Sequence, residues 1–288
     1  MLKLFHTLSG WPLWLLHGIG AVLGWITYWA SPSYRRRFND NVRQAGIAPA
    51  EARPAIAAAG RMVAELPFLW LRPAHVPIKP RLDWVGDELI TQALQARRGL
   101  VLLTPHMGSF EVAAQAVAQR FAAEFGPITV LYRPARKAVL REVMDESRAR
   151  PGVATAPATL AGVRLMMRAL RRGEAVGLLP DQVPPDGMGV WVPFFGKPAY
   201  TMTLAARLIQ QTGAVPLVAW GERLGTGEGY VVHVSPFDEP AALASSDASE
   251  SAAAVNAAME RLIRERPQQY MWGYHRYKAP ARRAPGTD

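Results

Sequence analysis

Residues 81–278 read as an α/β domain built on a largely parallel sheet with covering helices. The reason is that short apolar runs alternate there with longer helix-like stretches. An uncharged N-terminal run predicts a membrane-anchoring helix ahead of that domain. The 288 residues suffice for one large domain or two small ones, and either can bury a core. Half of the residues are hydrophobic and 19% are charged, which excludes a disordered basic tail protein. Lys and Arg number 33 against 23 Asp and Glu, a net charge of +10, so acidic partners are expected. The absence of cysteine removes a disulfide framework, a thiol nucleophile, an iron–sulfur cluster and thiolate zinc sites.

Residues 1–34 form the expected anchor. Between Lys3 and Arg35 there are 31 residues without a charge, and within them Trp11 to Ala30 make 20, the length that crosses a hydrocarbon core. Trp11, Trp14, Trp25, Tyr28 and Trp29 lie towards the two ends, where amphipathic rings favour the headgroup layer. Pro12 and Gly18, Gly20 and Gly24 weaken a soluble helix and are tolerated in a membrane. A cleaved signal peptide fits poorly, because Ser31-Pro32-Ser33 is followed by Arg35-Arg36-Arg37 rather than by a small-residue cleavage site. Those arginines favour keeping their side cytoplasmic. The composition suits a spanning helix, one lying in the interface, or a buried apolar hairpin. His17, uncharged at neutral pH, reads as structural.

Residues 35–80 form an amphipathic helical segment, broken near Pro49, Pro54 and Pro67, with an apolar end at Phe68–Leu71. Beyond Pro80 the expected strands are 99–104, 128–132, 175–179, 215–220 and 230–234. The expected helices are 88–96, 110–125, 138–150, 160–172, 203–212 and 249–266, with a linker running into the last. The Pro- and Gly-rich stretch 180–198 reads as a long loop, and 279–288 as a polar tail.

The chemistry concentrates after the first long strand, in Leu103-Thr-Pro-His106-Met-Gly108-Ser109-Phe-Glu111. Residues five apart on one continuous helix diverge, so His106 and Glu111 meet only if the histidine lies in the preceding turn and the glutamate in the first helical turn. Gly108 supplies the unusual backbone angle for that turn and Ser109 a helix cap. A carboxylate on one imidazole nitrogen fixes the tautomer and raises the basicity of the other. Spacing alone does not select this pair, because His233 and Asp238 repeat it beyond a later strand, without a glycine turn. The bland alternative for His106 is a satisfied core histidine.

Metal ligation has little support here, since His106 and Glu111 lack helical zinc-pair spacing and no other histidine is near in sequence. The chain has no Gly-x-Ser-x-Gly and no phosphate-cradling glycine loop. Arg133, Arg136, Lys137, Arg141, Arg148 and Arg150 follow, most of them suited to a solvated helix face. A guanidinium among them could hold a phosphate or an oxyanion. No nucleic-acid module accompanies them, so no nucleic acid is expected.

Taken in order, Leu-Leu-Thr-Pro-His106-Met-Gly-Ser-Phe-Glu111, Tyr132-Arg-Pro, Pro180-Asp-Gln, Val192-Pro-Phe-Phe-Gly196 with Thr201, Gln269-Tyr-Met-Trp and His275-Arg-Tyr-Lys resemble the lauroyl/myristoyl-type lipid A biosynthesis acyltransferases of Gram-negative bacteria. The resemblance covers nearly the whole chain. One departure is that the family often has a bulkier residue where Gly108 or Ser109 stands. The resemblance implies a fold like that of the glycerolipid acyltransferases, which share the His-x4-Asp/Glu element. It also implies acyl transfer from acyl carrier protein to a hydroxyl of a phosphorylated glucosamine lipid, with no cofactor, metal or acyl-enzyme. By that likeness His106 is the general base and Glu111 its orienting partner. Arg148 stabilises an oxyanion or holds a phosphate, Asp181 positions an arginine or the substrate, and Arg133 contacts phosphate. Phe194, Phe195 and Gly196 shape the acyl pocket. The implied location is the inner membrane, with the catalytic domain on its cytoplasmic side. A glycerolipid or other glycolipid acceptor, or a non-catalytic lipid-binding role, are the alternatives.

Overall fold

The structure, a computed structural model, describes residues 2–73, 76–132 and 150–281. Residues 138–149 of the expected helix over 138–150 lie outside the described residues, as do Arg133 and Arg148.

The chain opens with helices α1 (Leu2–Ser9) and α2 (Leu13–Ala30), then α3 (Pro32–Gln44), α4 (Pro49–Ala52), α5 (Ala55–Ala64) and α6 (Leu66–Leu71). Prolines sit in the first turns of α3, α4 and α6, where a missing N–H costs nothing. The apolar helix α2 lies along α5. A Cβ on Gly60 would fall 1.9 Å from the Gly20 carbonyl oxygen, and one on Gly24 would fall 2.2 Å from that of Ile56, so the two backbones touch. Its other face carries exposed Trp14, Val22, Leu23, Ile26 and Trp29. Leu13–Ala30 is long and apolar enough to cross a membrane, with 28% of its residues buried inside the protein.

The α/β domain follows as β1 (Leu82–Val85), α7 (Asp87–Gln95), β2 (Leu100–Leu103), α8 (Phe110–Phe125), β3 (Ile128–Tyr132), β4 (Val153–Pro157), α9 (Leu160–Arg171) and β5 (Ala175–Leu178). Next come β6 (Gly189–Phe194), β7 (Lys197–Met202), α10 (Leu204–Thr212), β8 (Val215–Arg223), β9 (Tyr230–Pro236), α11 (Pro240–Leu243) and α12 (Ala248–Glu265). Among the described residues, seven strands form the main sheet in the order β1-β9-β8-β2-β5-β3-β4. Every neighbouring pair is parallel except β8 with β9. Alternation along the central strands divides the core: Val101 and Leu103 pack on one side, Leu100 and Leu102 on the other.

To the main sheet the structure adds two strands beyond those expected, β1 and β4, which are its edges among the described residues. Edge strands are only partly buried, so Leu-Asp-Trp-Val and Val-Ala-Thr-Ala-Pro carry a weak apolar signal. The expected long loop is also corrected. Residues 189–202 form an antiparallel hairpin, β6 with β7, paired from Gly189↔Met202 to Phe194↔Lys197. Phe195 at φ 48° and Gly196 at φ 73° make its two-residue turn, the left-handed pair that suits the twist of a hairpin.

Candidate active site

The strand β2 is fully buried, and the chain leaves its C-terminal end through Thr104 and Pro105 into the turn that carries His106. That turn is held on three sides. The Gly108 N–H donates to the Gln269 carbonyl (2.9 Å), the Ser109 N–H to the Gly221 carbonyl (2.8 Å) and the Met271 N–H to the His106 carbonyl (3.2 Å). Gly108 has φ 60°, and a Cβ there would lie 2.0 Å from the Gly221 carbonyl oxygen, so glycine is required. A bulkier residue therefore does not suit position 108 in this chain. Ser109 occupies the cap position of α8 without a side-chain cap bond.

Neighbouring strand β5 leads into Asp181 at the same C-terminal end of the sheet, where open parallel sheets place their sites. Its carboxylate accepts twice from His106. The ring Nδ1 lies 2.7 Å from Oδ1, and the backbone N–H donates to Oδ2 at 3.0 Å. Burial alone would raise the Asp181 carboxyl, but His106 and then Arg276 outweigh it and bring it below the ordinary range. An ionised carboxylate accepts only, so Nδ1 carries a proton, and in the neutral imidazole the lone pair is the one on Nε2. The phenol of Tyr270 is pushed well up, first by burial and then by Asp181. The carboxylate on the imidazole Nδ1 is that of Asp181, while Glu111, the expected partner, stands with His106 on the wall of one cavity. Asp181 therefore does more than position an arginine, although Arg276 is among the groups it feels.

Glu111 lies in the first turn of α8 and, with His106, lines a cavity of about 520 Å³. That size lies within the range of small-molecule sites. Its wall is largely apolar, from Trp70, Phe110, Ala114, Val130, Leu131, Val163, Leu179, Met188, Met202 and Leu204. Gln115, Arg150, Gln182 and Lys278 add polar groups. Among the described residues, no group of three or more His, Asp or Glu is arranged to hold a metal ion.

Phe194, Phe195 and Gly196 lie elsewhere. Phe194 and Phe195 are buried in the core, Phe195 with its ring centroid 6.0 Å from that of Trp272, and none of the three lines the large cavity. The reason is the hairpin: Gly196 serves the turn and the two rings pack beneath it. His233, in the repeated His-x4-Asp spacing, pairs with Glu222 (2.7 Å) and stacks on Trp220 rather than reaching Asp238.

A family model for bacterial lipid A biosynthesis acyltransferases matches residues 50–279. The chain belongs to that family. It is similar to the lipid A biosynthesis palmitoleoyltransferase of Escherichia coli (strain K12), 24% identical over 220 residues, covering 76% of this chain and 68% of the relative. The lauroyltransferase of the same organism is 29% identical over 200 residues, covering 67% and 61%. Its myristoyltransferase is 26% identical over 198 residues, covering 68% and 58%.

The contacts made by the C-terminal motifs give them a physical meaning that their sequence does not show. Gln269 clamps the turn through its carbonyl, and its side-chain amide exchanges two bonds with the backbone of Arg223 (3.0 and 2.9 Å). Tyr274 accepts the Val183 N–H at 3.0 Å, two residues beyond Asp181. Arg276 is buried and donates to the Tyr200 carbonyl and to Thr201 Oγ1, both at 2.7 Å, tying the tail to β7. The motif order carried these residues, but no local signal showed what they touch.

Proposed function

We propose that the chain moves a fatty acyl group from an acyl carrier protein thioester to a hydroxyl of a phosphorylated glucosamine lipid, the secondary acylation of a lipid A precursor. The observation that carries this reading is the imidazole of His106, held through Nδ1 by a buried carboxylate, beside an apolar cavity that also bears Glu111. His106 Nε2 takes the proton of the acceptor hydroxyl, and the oxygen forms a bond to the thioester carbonyl carbon. As the tetrahedral intermediate collapses, the C–S bond breaks and the departing thiolate takes the proton from Nε2. Asp181 stabilises the transient imidazolium, and Glu111 supplies a second carboxylate on the cavity wall. Neither metal nor acyl-enzyme enters this cycle. The apolar wall suits an acyl chain, while Arg133 and Arg148 serve the lipid phosphate or the oxyanion.

The uncharged helix α2, with its exposed tryptophans, supports attachment to the membrane, and Arg35-Arg36-Arg37 supports the cytoplasmic face of the inner membrane. The test offers detergent-extracted protein labelled acyl carrier protein together with a tetra-acylated lipid A precursor or, separately, a lysophospholipid. Product on the glucosamine lipid alone, lost in His106→Ala, is the expected result. Product on the lysophospholipid would overturn the acceptor, and lipid binding without thioester consumption would overturn the enzyme.

A further inference from the structure

Behind the turn that carries His106 lies a buried ionic brace. Arg223, the last residue of β8, is 5% exposed. Its guanidinium grips both oxygens of Glu65, Nε at 2.8 Å and Nη2 at 2.6 Å, and the same Nη2 donates to the Gly108 carbonyl at 2.8 Å. Gly108 is therefore held at both of its polar groups, the N–H by Gln269 and the oxygen by Arg223. Glu65, just beyond α5, also receives the Tyr230 hydroxyl (3.1 Å) and sits 2.9 Å from His17 Nε2. The Gly227 N–H donates to His17 Nδ1 (3.2 Å), which leaves the ring proton on Nε2, pointing at the carboxylate. The brace thus runs from the apolar helix α2 through α5 to the turn.

A carbonyl oxygen needs only a neutral donor, and buried ion pairs seldom improve stability over well-packed apolar residues. A planar fork locked to a carboxylate does supply a fixed direction for the remaining bond. We infer that Arg223, locked by Glu65, is a positioning residue for the reaction, setting where the turn presents His106. The inference rests on the acyl-transfer reading for its chemistry and on the Gly108 contact for its geometry. A displacement of about 1 Å in a reacting group can cost on the order of a hundredfold in rate.

The experiment uses the full chain in detergent, with Arg223→Lys, the double variant Glu65→Gln with Arg223→Gln, and His233→Gln as a control on the adjoining strand. Lysine keeps a cation opposite Glu65 but loses the fork, and the double variant removes both charges together. Expected for both is a kcat lowered about tenfold or more with KM little changed. Faster hydrogen exchange at the Gly108 and Ser109 amides should accompany it, with that of α12 unaltered. His233→Gln should keep wild-type kcat. Folded variants with wild-type kcat and unchanged exchange in the turn, whatever their thermal midpoint, would reduce the brace to a structural feature and overturn the inference. If the double variant does not fold, Arg223→Lys decides. A wild-type chain that transfers no acyl group would overturn the acyl-transfer reading instead, and exchange in the turn would then decide the brace alone.

Discussion

Replacing Asp181 by asparagine isolates the contact on which the proposed chemistry depends. The carboxylate accepts two bonds from one residue, from His106 Nδ1 at 2.7 Å and from the His106 backbone N–H at 3.0 Å. Asparagine has one acceptor oxygen and one NH2. If its oxygen keeps the backbone N–H, its NH2 faces Nδ1, which must then give up its proton; the proton moves to Nε2 and the base is lost. If the oxygen keeps the ring, two donors oppose each other at the backbone. A charge-assisted hydrogen bond contributes about 1.5–3 kcal/mol, or roughly 10- to 150-fold in rate if it acts fully in the transition state. Tautomer inversion extends the loss towards about 10⁴-fold, the size known for the analogous change in a serine protease triad. Steady-state acyl transfer by Asp181→Asn, with thermal unfolding measured on the same sample, should therefore show kcat down at least about a hundredfold. A folded variant whose kcat stays within about tenfold of wild type would refute the assignment of Asp181 as the group that sets the imidazole tautomer.

Other outcomes follow from the same contacts. Burial would raise the Glu65 carboxyl, but Arg223 and then His17 outweigh it and hold it at about 2, against an ordinary 4.5. Its contribution, about 3 kcal/mol, is therefore complete above that ordinary value and is lost as pH falls towards about 2. Acid unfolding curves should show the loss in wild type and a flatter profile in the Glu65→Gln, Arg223→Gln pair. Gly60→Val forces a side chain into the Gly20 backbone, and a loss of about 1–3 kcal/mol, with faster proteolysis between α2 and α3, is expected. Gly196→Val meets no neighbour but places a branched residue at φ 73°, so a lower thermal midpoint with unchanged KM for the acyl donor should result. Leu103→Ala empties a fully buried position and should cost about 2–5 kcal/mol by denaturant unfolding.

The central strands were legible because β2 and β5 are short apolar runs buried on both faces, a pattern that survives without neighbours. The edge strands β1 and β4 were not, since their residues are only partly buried. His106 stood out through its glycine turn, a local feature. Its partner did not, because the contact with Asp181 spans 75 residues and exists only when β2 and β5 lie side by side. Glu65 and Arg223, 158 residues apart, are equally silent in sequence. Phe194-Phe-Gly196 is ambiguous in sequence: two aromatics and a glycine describe a binding pocket and a packed hairpin turn equally well. Only the pairing of Phe194 with Lys197 separates them.

The close seating of α2 on α5 bears on what the first thirty residues are to this protein. A tether can be cut without injury to what it holds. Here Gly20 and Gly24 lie against Gly60 and Ile56, and His17 is wholly enclosed beside Glu65. Shortening the chain to begin after Ala30 would uncover the backbone of Ile56 and Gly60 and strip Glu65 of a hydrogen bond. If the proposed membrane attachment holds, the shortened protein would lose its anchor and a wall of its fold together, so release from a bilayer is better sought by exchanging the outward residues Val22, Leu23, Ile26 and Trp29 for polar ones.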